Sequence, residues 1–434
     1  IPGGRLGPEV KTRGPVDPVR PLGPAAETTA IPPLTATRPD PRDKNAAVLE
    51  EYALRADTAA TPETDPFMPL GLRGAGLEWR PAVEVSSGWT TNAYGTAGSR
   101  GSMVWKVAPE LTAKSDWSRH RLELDLRGAY LGYGVDHQID RPSWSAEMKG
   151  RIEFGDETRA DLRALWSRER QTASLATGGT ATAAPDLETR ILSLGLTREA
   201  GLIGLTLRGD LERTDYIDNI AGSGSAIENN TRWVGALRTT LGSGAVVRPF
   251  VEAQISTRRY DTIAVGGSLR DGNGAAIKTG VVADGGPMLR GELSTGWGWE
   301  APVSGDLPTM SAWLIDGSLV WSPTRIDQIR LEAKTVFEPT TLAGSPGALH
   351  RTLGATWERA LRRDLVGSLG LTWSDKQYFA TPTSEGSLLL AGAITHKLNR
   401  NVQTFAKASW EHAMVTGAPS YDVGMIMAGV RLQR

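Results

Sequence analysis

The sequence contains no cysteine, and this absence excludes three kinds of chemistry. A chain without thiols cannot form a disulfide bond, bind a metal through a thiolate or use a thiolate as a nucleophile.

Long apolar segments are also missing. The uninterrupted apolar runs are only a few residues long, whereas a transmembrane helix needs about 20 consecutive apolar residues. The net charge of −1 argues against a nucleic-acid partner, because such proteins carry clusters of basic residues. The chain starts at Ile1 without an initiator methionine, and we expect that a signal peptide was removed or was never part of this chain.

What the sequence has instead is a regular alternation of apolar and charged residues, seen most clearly over Arg119–Tyr133. One set of alternate positions holds Leu122, Leu124, Leu126, Gly128 and Tyr130, and the other set holds Arg121, Glu123, Asp125 and Arg127. A β-strand sends successive side chains to opposite faces. The pattern therefore predicts a strand with an apolar face toward lipid and a charged face toward an aqueous lumen.

The same alternation recurs through residues 76–434 and predicts an all-β protein, a transmembrane antiparallel up-and-down β-barrel. Lipid-facing and lumen-facing residues alternate along every strand of such a barrel. We define the pore-lining residues as the charged positions expected to face the lumen. They are Arg121, Glu123, Asp125, Arg127, Lys149, Arg151, Glu153, Arg208, Asp210, Glu212, Arg290, Glu292, Arg330, Glu332 and Lys334.

The connections between the predicted strands alternate in length. Eight short connections and nine longer ones, rich in Gly, Ser, Thr and Asn, join 18 strands. This count requires Ala275–Asp284 to be a strand, because the alternation otherwise falls out of phase; a 16-stranded barrel is the alternative. The last of the longer connections is expected near 412–420. Short periplasmic turns and long outer loops would place both chain termini in the periplasm.

Residues 1–75 differ in composition from the barrel segment 76–434. Thirteen of the 26 prolines and none of the 14 tryptophans lie in this first segment. Such a composition cannot bury enough apolar surface to offset the entropy of ordering. We expect a largely disordered, Pro-rich periplasmic extension, with a short helix at residues 45–56. That helix could be transient, or it could dock in the lumen or on a periplasmic partner.

Several stretches of the chain carry a family resemblance. They are APELTAKSDWSRHRLELDLRGAY within Val104–Tyr133, VRPFVEAQISTRRYD at Val247–Asp261, SLVWSPT at Ser318–Thr324, HKLNRNV at His396–Val402 and GVRLQ at Gly429–Gln433. These stretches resemble the putative β-barrel porin 2 family of proteobacterial outer-membrane proteins over residues 76–434. The resemblance implies an outer-membrane pore, and some family members are similar to proteins associated with exopolysaccharide secretion. Turn and strand motifs of this kind specify the fold and say little about activity.

The residues that could carry catalysis are few. The five histidines are His120, His137, His350, His396 and His412. No nucleophile elbow or H-E-x-x-H motif is present, and no two histidines fall at metal-ligand spacing. Ser118 and His120 share a strand face, as many pairs do. We predict that the protein is not an enzyme and that it has no catalytic residue, metal site or cofactor.

The pore-lining residues mix positive and negative charges on each strand, and two arrangements fit this pattern. Opposite charges could pair across strands and form a self-neutralising lining. Alternatively, basic and acidic residues could segregate onto opposite walls of a constriction. Two segments could narrow the lumen: the loop around 259–275 and the N-terminal segment 40–70. Asn229, Asn230 and the loop at 171–185 could hydrogen-bond sugars.

These patterns together predict a porin-like outer-membrane channel for the passive passage of hydrophilic solutes. An exopolysaccharide export conduit would be a specialised form of it. The alternative is a plugged structural barrel whose N-terminal extension tethers a periplasmic or cell-wall partner. The expected partners are outer-membrane lipid and lipopolysaccharide, a periplasmic protein bound through residues 1–75, and further copies of the chain in a homo-oligomer.

Overall fold

The computed structural model describes residues 66–170, 185–217, 228–242, 245–262, 270–286, 288–340, 342 and 344–434. The helix expected at 45–56 and most of the predicted extension lie outside the described residues. The described part of the chain forms 19 β-strands and one short 3-10 turn, His137–Ile139. No helix in this part of the chain is both long enough and apolar enough to span a membrane.

The strands, in chain order, are β1 (Leu72–Gly74), β2 (Leu77–Thr90), β3 (Ser102–Ser115), β4 (Arg121–Tyr133), β5 (Arg141–Phe154), β6 (Thr158–Arg170), β7 (Asp186–Ala200), β8 (Ile203–Ile217), β9 (Asn230–Leu241), β10 (Val247–Tyr260), β11 (Gly272–Asp284), β12 (Leu289–Pro302), β13 (Met310–Trp321), β14 (Asp327–Glu338), β15 (Ala348–Arg362), β16 (Leu365–Tyr378), β17 (Ser384–Lys397), β18 (Val402–Val415) and β19 (Ala418–Gln433).

Strands β2 to β19 form one closed antiparallel barrel. Each strand pairs with its neighbours in the chain, and β19 pairs with β2 from Met425↔Thr90 to Gln433↔Ala82. The short β1 pairs with the start of β2. The prediction of 18 barrel strands is confirmed, including the strand on which the count depended, which is β11 at Gly272–Asp284. Closure pairs both edges of every barrel strand, apart from the half of the β13–β14 contact described below, so few backbone groups are left unpaired in lipid.

The two ends of the barrel differ in the length of their connections. One end holds the connections β2–β3, β4–β5 and every second connection after them, and we call it the long-loop end. We call the other end the short-turn end. The start of β2 and the end of β19 lie together at the short-turn end. The long connection predicted at 412–420 is wrong, because β18 continues to Val415 and β19 begins at Ala418. Inward and outward side chains continue to alternate through Glu411 and His412, so these polar residues belong to β18 rather than to a loop.

Alternate side chains on the strands face two different environments. One set is apolar and exposed, such as Leu207, Ile255 and Ile277, and the charged residues between them are far less exposed. Charged side chains also pair across one or more intervening strands, as Arg238 of β9 does with Glu292 of β12. Side chains can converge in this way only on the concave side of a curved sheet. The charged face is therefore the inside of the barrel, and the apolar face is the outside.

Adjacent strands come very close together at Gly296 in β12 and at Gly88 in β2, and we call these two places corners of the barrel. A Cβ atom at either glycine would collide with a backbone carbonyl of the adjacent strand, that of Ile277 in β11 or of Ile426 in β19. Both Cβ atoms would point to the concave side, where only glycine leaves room for two backbones. Ten strands, β2–β11, separate the corners on one side and eight, β12–β19, on the other. The corners thus lie on opposite sides of the barrel.

Each corner holds a cation over a phenylalanine ring on the inside. The guanidinium carbon of Arg238 lies 4.0 Å from the ring centroid of Phe250, and Nζ of Lys407 lies 4.2 Å from that of Phe405. Such contacts gain strength when they are removed from water. The carboxylates that pair with these cations are buried: Glu252 and Glu292 at the first corner, and Glu84 at the second.

Candidate functional site: the narrowed long-loop end of the barrel

The sheet splits between β13 and β14 at the long-loop end. The β13–β14 ladder stops at Gly317↔Ala333, although β13 extends to Met310 and β14 extends to Glu338. On either side of the split, β13 stays paired with β12 and β14 stays paired with β15. The end of β14 therefore separates from β13, while β15 stays paired with β16 as far as Ala348↔Tyr378. We call residues 334–340, 342 and 344–352 the inward hairpin.

The inward hairpin packs its outer face against the inner face of β13. Phe337 and Leu349 lie opposite each other on the hairpin, and both are buried in one cluster with Met310 and Leu314 of β13. On the same stretch of β13, Trp313 points to the other side and is 63% exposed. The hairpin can cover the inner face of β13 only from within the barrel. It therefore occupies part of the lumen.

Two arginines, one on the nearby strand β10 and one just before β11, hold the inward hairpin. Arg258 of β10 donates a hydrogen bond to the carbonyl oxygen of Phe337, at 3.2 Å, and it also pairs with Glu300 of β12. Arg270, just before β11, donates to the carbonyl oxygen of Thr340. Thr340 is completely buried although it lies in a connection between strands. Thr340 is thus enclosed by the barrel rather than projecting into solvent.

The inner face of the hairpin carries a polar chain of contacts. Nδ1 of His350 lies 2.8 Å from Oε1 of Glu338, and Nε2 of His350 lies 2.9 Å from Oγ of Ser374 in β16. Lys376 reaches the other carboxylate oxygen of Glu338, at 2.9 Å. These four side chains are all partly exposed. They form a hydrated polar cluster on three consecutive strands.

The connection between β8 and β9 brings a further acidic residue to this cluster. Glu228 is buried and interacts electrostatically with Lys376 and Arg270. Burial raises the pKa of Glu228 to about 7, and its neighbours Lys376, Arg270 and Tyr216 offset this only in part. Within the described residues, its Oε1 atom has no hydrogen-bond partner. Both observations fit a carboxyl group that holds its proton up to neutral pH.

Many pore-lining residues form ion pairs with oppositely charged residues on the same inner face. Examples are Arg151 with Asp161 of β6 at 2.7 Å and Arg208 with Asp210 at 3.3 Å. The contacts follow the self-neutralising arrangement rather than a segregation of signs onto two walls. The pore-lining residues in such ion pairs are Glu123, Asp125, Arg127, Lys149, Arg151, Arg208, Asp210, Glu212 and Glu292.

The remaining pore-lining residues lie on the same inner face. Arg121 stands across from Arg151 in the β4–β5 ladder, and Arg290 stands across from Asp284 in the β11–β12 ladder. The backbone N–H of Glu153 donates to Nδ1 of His120. Three of these residues belong to β14 near the point where the hairpin leaves the wall: Arg330, Glu332 and Lys334.

Sequence reasoning did not identify the inward hairpin as the element that narrows the lumen. It named the loop around 259–275, of which residues 263–269 lie outside the described chain; Arg270 at its end does contact the hairpin. The amides of Asn229 and Asn230 serve internal hydrogen bonds, with the N–H of Tyr216 and with Arg258. They are therefore engaged within the protein rather than presented to a sugar. The loop at 171–185 lies outside the described residues, apart from its last residue.

The described residues hold no group of three or more histidine, aspartate or glutamate side chains arranged to bind a metal ion. Each histidine contacts protein groups instead. His396 lies 3.0 Å from Asp364, and His412 lies 2.9 Å from Asp422.

A closed 18-stranded barrel with an apolar outer face and a charged interior defines a transmembrane β-barrel protein of the outer-membrane type. The family model described as "Putative beta-barrel porin 2" matches residues 65–434. The chain belongs to this family, which confirms the resemblance seen in the sequence. Family and fold together indicate an outer-membrane β-barrel protein of a porin family.

Other comparisons add little to this assignment. No curated protein matches the chain. Solved structures similar to it include the siderophore receptor PirA from Pseudomonas aeruginosa, with 8% identity, a TM-score of 0.38 and coverage of 82% of this chain and 80% of that one. Another is the ferric-catecholate import receptor Fiu from E. coli K12, with 9% identity, a TM-score of 0.36 and 81% coverage of both chains. TM-scores this low carry no argument about function.

Proposed function

We propose that the protein is an outer-membrane channel through which hydrophilic solutes pass passively, with the inward hairpin as its constriction. The pore-lining residues form its wall, both chain termini lie in the periplasm, and the apolar outer face contacts lipid and lipopolysaccharide. No chemical step is needed. Solutes are selected by size at the hairpin and by their interaction with a wall of paired charges.

The observation that carries this proposal is the unequal exposure of charged side chains in the interior. On the wall formed by β4–β7, some ion-paired side chains keep part of their surface open to the lumen, as Arg127 and Asp161 do at 38% and 37% exposure. At the corner formed by β9–β12, the Glu292 side chain is only 1% exposed. Charged groups that remain hydrated inside a barrel support an aqueous path. We place this path along the β4–β7 wall, away from the corner and the hairpin.

Single-channel conductance in a planar bilayer tests the proposal. The full chain should give steady openings with weak preference for anions or cations, because the wall charges are paired. Hydrophilic solutes of increasing size should block the current until they exceed the constriction, and polysaccharide blockade would support the export form. A reconstituted, correctly folded protein that never conducts would refute a passive channel.

The inward hairpin also favours a second candidate, the plugged structural barrel. If the hairpin and the N-terminal extension fill the lumen together, the protein would act by holding a periplasmic or cell-wall partner. Removal of residues 1–65 separates the two functions. If the extension is a tether, the shortened protein loses its partner and keeps the conductance of the full chain. If the extension plugs the lumen, the shortened protein conducts more than the full chain.

A further inference from the structure

The contacts of His350 have the order and spacing of a nucleophilic site. In such sites a hydroxyl lies within hydrogen-bond reach of a histidine, which a third group orients. Here Ser374 Oγ lies 2.9 Å from Nε2 of His350, and Nδ1 lies 2.8 Å from Oε1 of Glu338. The three residues come from the neighbouring strands β16, β15 and β14, all on the inner face.

The partners of His350 select one tautomer of its neutral ring. A carboxylate can only accept a hydrogen bond at this position, so in the neutral ring Nδ1 carries the proton and donates it to Glu338. Nε2 is then free to accept the hydroxyl proton of Ser374. Lys376 holds the second oxygen of Glu338 and favours its charged form. The arrangement therefore presents a base to Ser374 rather than a hydrogen-bond donor.

The surroundings of Ser374 limit the substrate. Its cross-strand neighbours are Thr352 in β15 and Ser387 in β17, both small hydroxyl residues on the same face. The hydroxyl of Thr352 also lies 3.4 Å from Nε2 of His350. The nearby apolar side chains Tyr378 and Ala348 are buried, so they offer no open cleft for a long acyl chain. The site suits a water-soluble ester with a short acyl group.

We propose that Ser374, His350 and Glu338 hydrolyse short-chain carboxylic esters of hydrophilic solutes at the narrowed end of the barrel. The Ser374 oxygen bonds to the ester carbonyl carbon, and its proton passes to Nε2 of His350. The carbon–oxygen bond to the alcohol breaks, and the alcohol leaves with that proton. Water then attacks the acyl-serine, gives a proton to His350, and releases the carboxylic acid as Ser374 regains its hydrogen. No oxidant, reductant or metal takes part.

Labelling of the folded full chain with a fluorophosphonate probe tests this proposal independently of conductance. Intact mass should show one adduct per chain, and peptide mapping should place it on Ser374. Ser374→Ala should abolish the adduct, and His350→Gln should slow labelling by about 100-fold or more, the usual contribution of a general base. Acetate esters should be cleaved in preference to longer acyl esters of the same alcohol.

Ser368 is the matched control for these variants. It lies on the same strand and face as Ser374. Its cross-strand partners are Glu358 and Ala393, and neither of them is next to a histidine. Ser368→Ala should leave labelling unchanged, and all variants should keep the heat-dependent gel shift of a folded barrel. Glu338 is a positioning residue, so Glu338→Gln should slow labelling and Glu338→Asp should restore part of the rate. No adduct on the folded protein, or an adduct indifferent to His350→Gln, would overturn the proposal.

Discussion

Replacing Phe337, which packs the inward hairpin against β13, with alanine should widen the barrel lumen. Phe337 is buried against Met310 and Leu314 of β13, and its ring also lies 6.1 Å from that of Phe379, between centroids. A buried Phe→Ala change costs about 3–5 kcal/mol. Since 1.4 kcal/mol is a tenfold change in an equilibrium constant, Phe337→Ala should shift the ratio of docked to released hairpin by about 100-fold or more.

Release of the hairpin would widen the long-loop end, because its tip would no longer cover the inner face of β13. Single-channel recordings of Phe337→Ala should therefore contain long-lived openings of higher conductance that are rare in the wild type. Solutes that are excluded by the wild type should also block these larger openings. The backbone contacts made by Arg258 and Arg270 remain in the variant, so both docked and released levels should be seen in one recording.

Trp313→Ala is the control for this experiment. Trp313 lies at the same depth on β13 but faces outward, so its truncation removes a similar aromatic group without touching the hairpin. It should keep the wild-type conductance. If Phe337→Ala folds and its conductance and gating match those of Trp313→Ala, the hairpin does not control the width of the pore.

Three further outcomes follow from the placement of charges and apolar residues. Leu207→Arg, on the outer face, should destabilise the barrel by about 2–4 kcal/mol at mid-bilayer depth, and Leu207→Ala should cost less; urea unfolding from lipid vesicles measures both. Arg238→Met strands two buried carboxylates and should cost about 3–5 kcal/mol, whereas Arg127→Met, at a solvated ion pair, should cost about 1 kcal/mol or less. Because the pKa of Glu228 rises from 4.5 to about 7, its folded-state penalty is absent below pH 4.5 and grows as the pH rises through 7. At 1.4 kcal/mol per pKa unit, Glu228→Gln should be more stable than the wild type by about 3 kcal/mol above pH 7 and no more stable below pH 4.5.

The barrel and its two faces could be read from the sequence because alternation is a local property. Each strand needs only its own residues to show which side chains share a face, as Arg121 to Tyr130 do in β4. Closure follows from the repetition of that pattern and from the alternating connection lengths. The count of 18 strands was correct although the last of those long connections, at 412–420, was wrong and only residues 416–417 join β18 to β19.

The inward hairpin could not be read in the same way. Phe337 continues the outward series of Leu331 and Ala333 on β14, and alternation cannot distinguish an apolar residue that meets lipid from one that meets another strand. One signal was present on β13, where Met310, Ala312 and Leu314 are apolar although they occupy the inner face. A half-strand that is apolar on both faces predicts burial on both sides. The identity of the covering element depends on long-range geometry.

The polar cluster was missed for a related reason. Glu338, His350 and Ser374 are separated by 12 and 24 residues along the chain, and no motif joins them. They meet only through the registers of two strand pairs, Val336↔His350 and Thr352↔Ser374. Register is set by the closure of the whole barrel, so the sequence shows three polar residues on inward-facing positions but not their contact.

The split between β13 and β14 would leave backbone groups of a membrane-spanning strand without partners unless other groups replaced the ladder. Side chains at the split do so. Oγ1 of Thr335 accepts a hydrogen bond from the N–H of Ile315 at 3.3 Å and donates one to the carbonyl oxygen of Ile315 at 3.2 Å. The N–H of Thr335 in turn donates to Oδ1 of Asp316. Unsatisfied backbone groups are costly in lipid, so these residues allow β14 to turn inward without opening the wall. They replace the ladder where the split begins, beside Ile315 and Asp316.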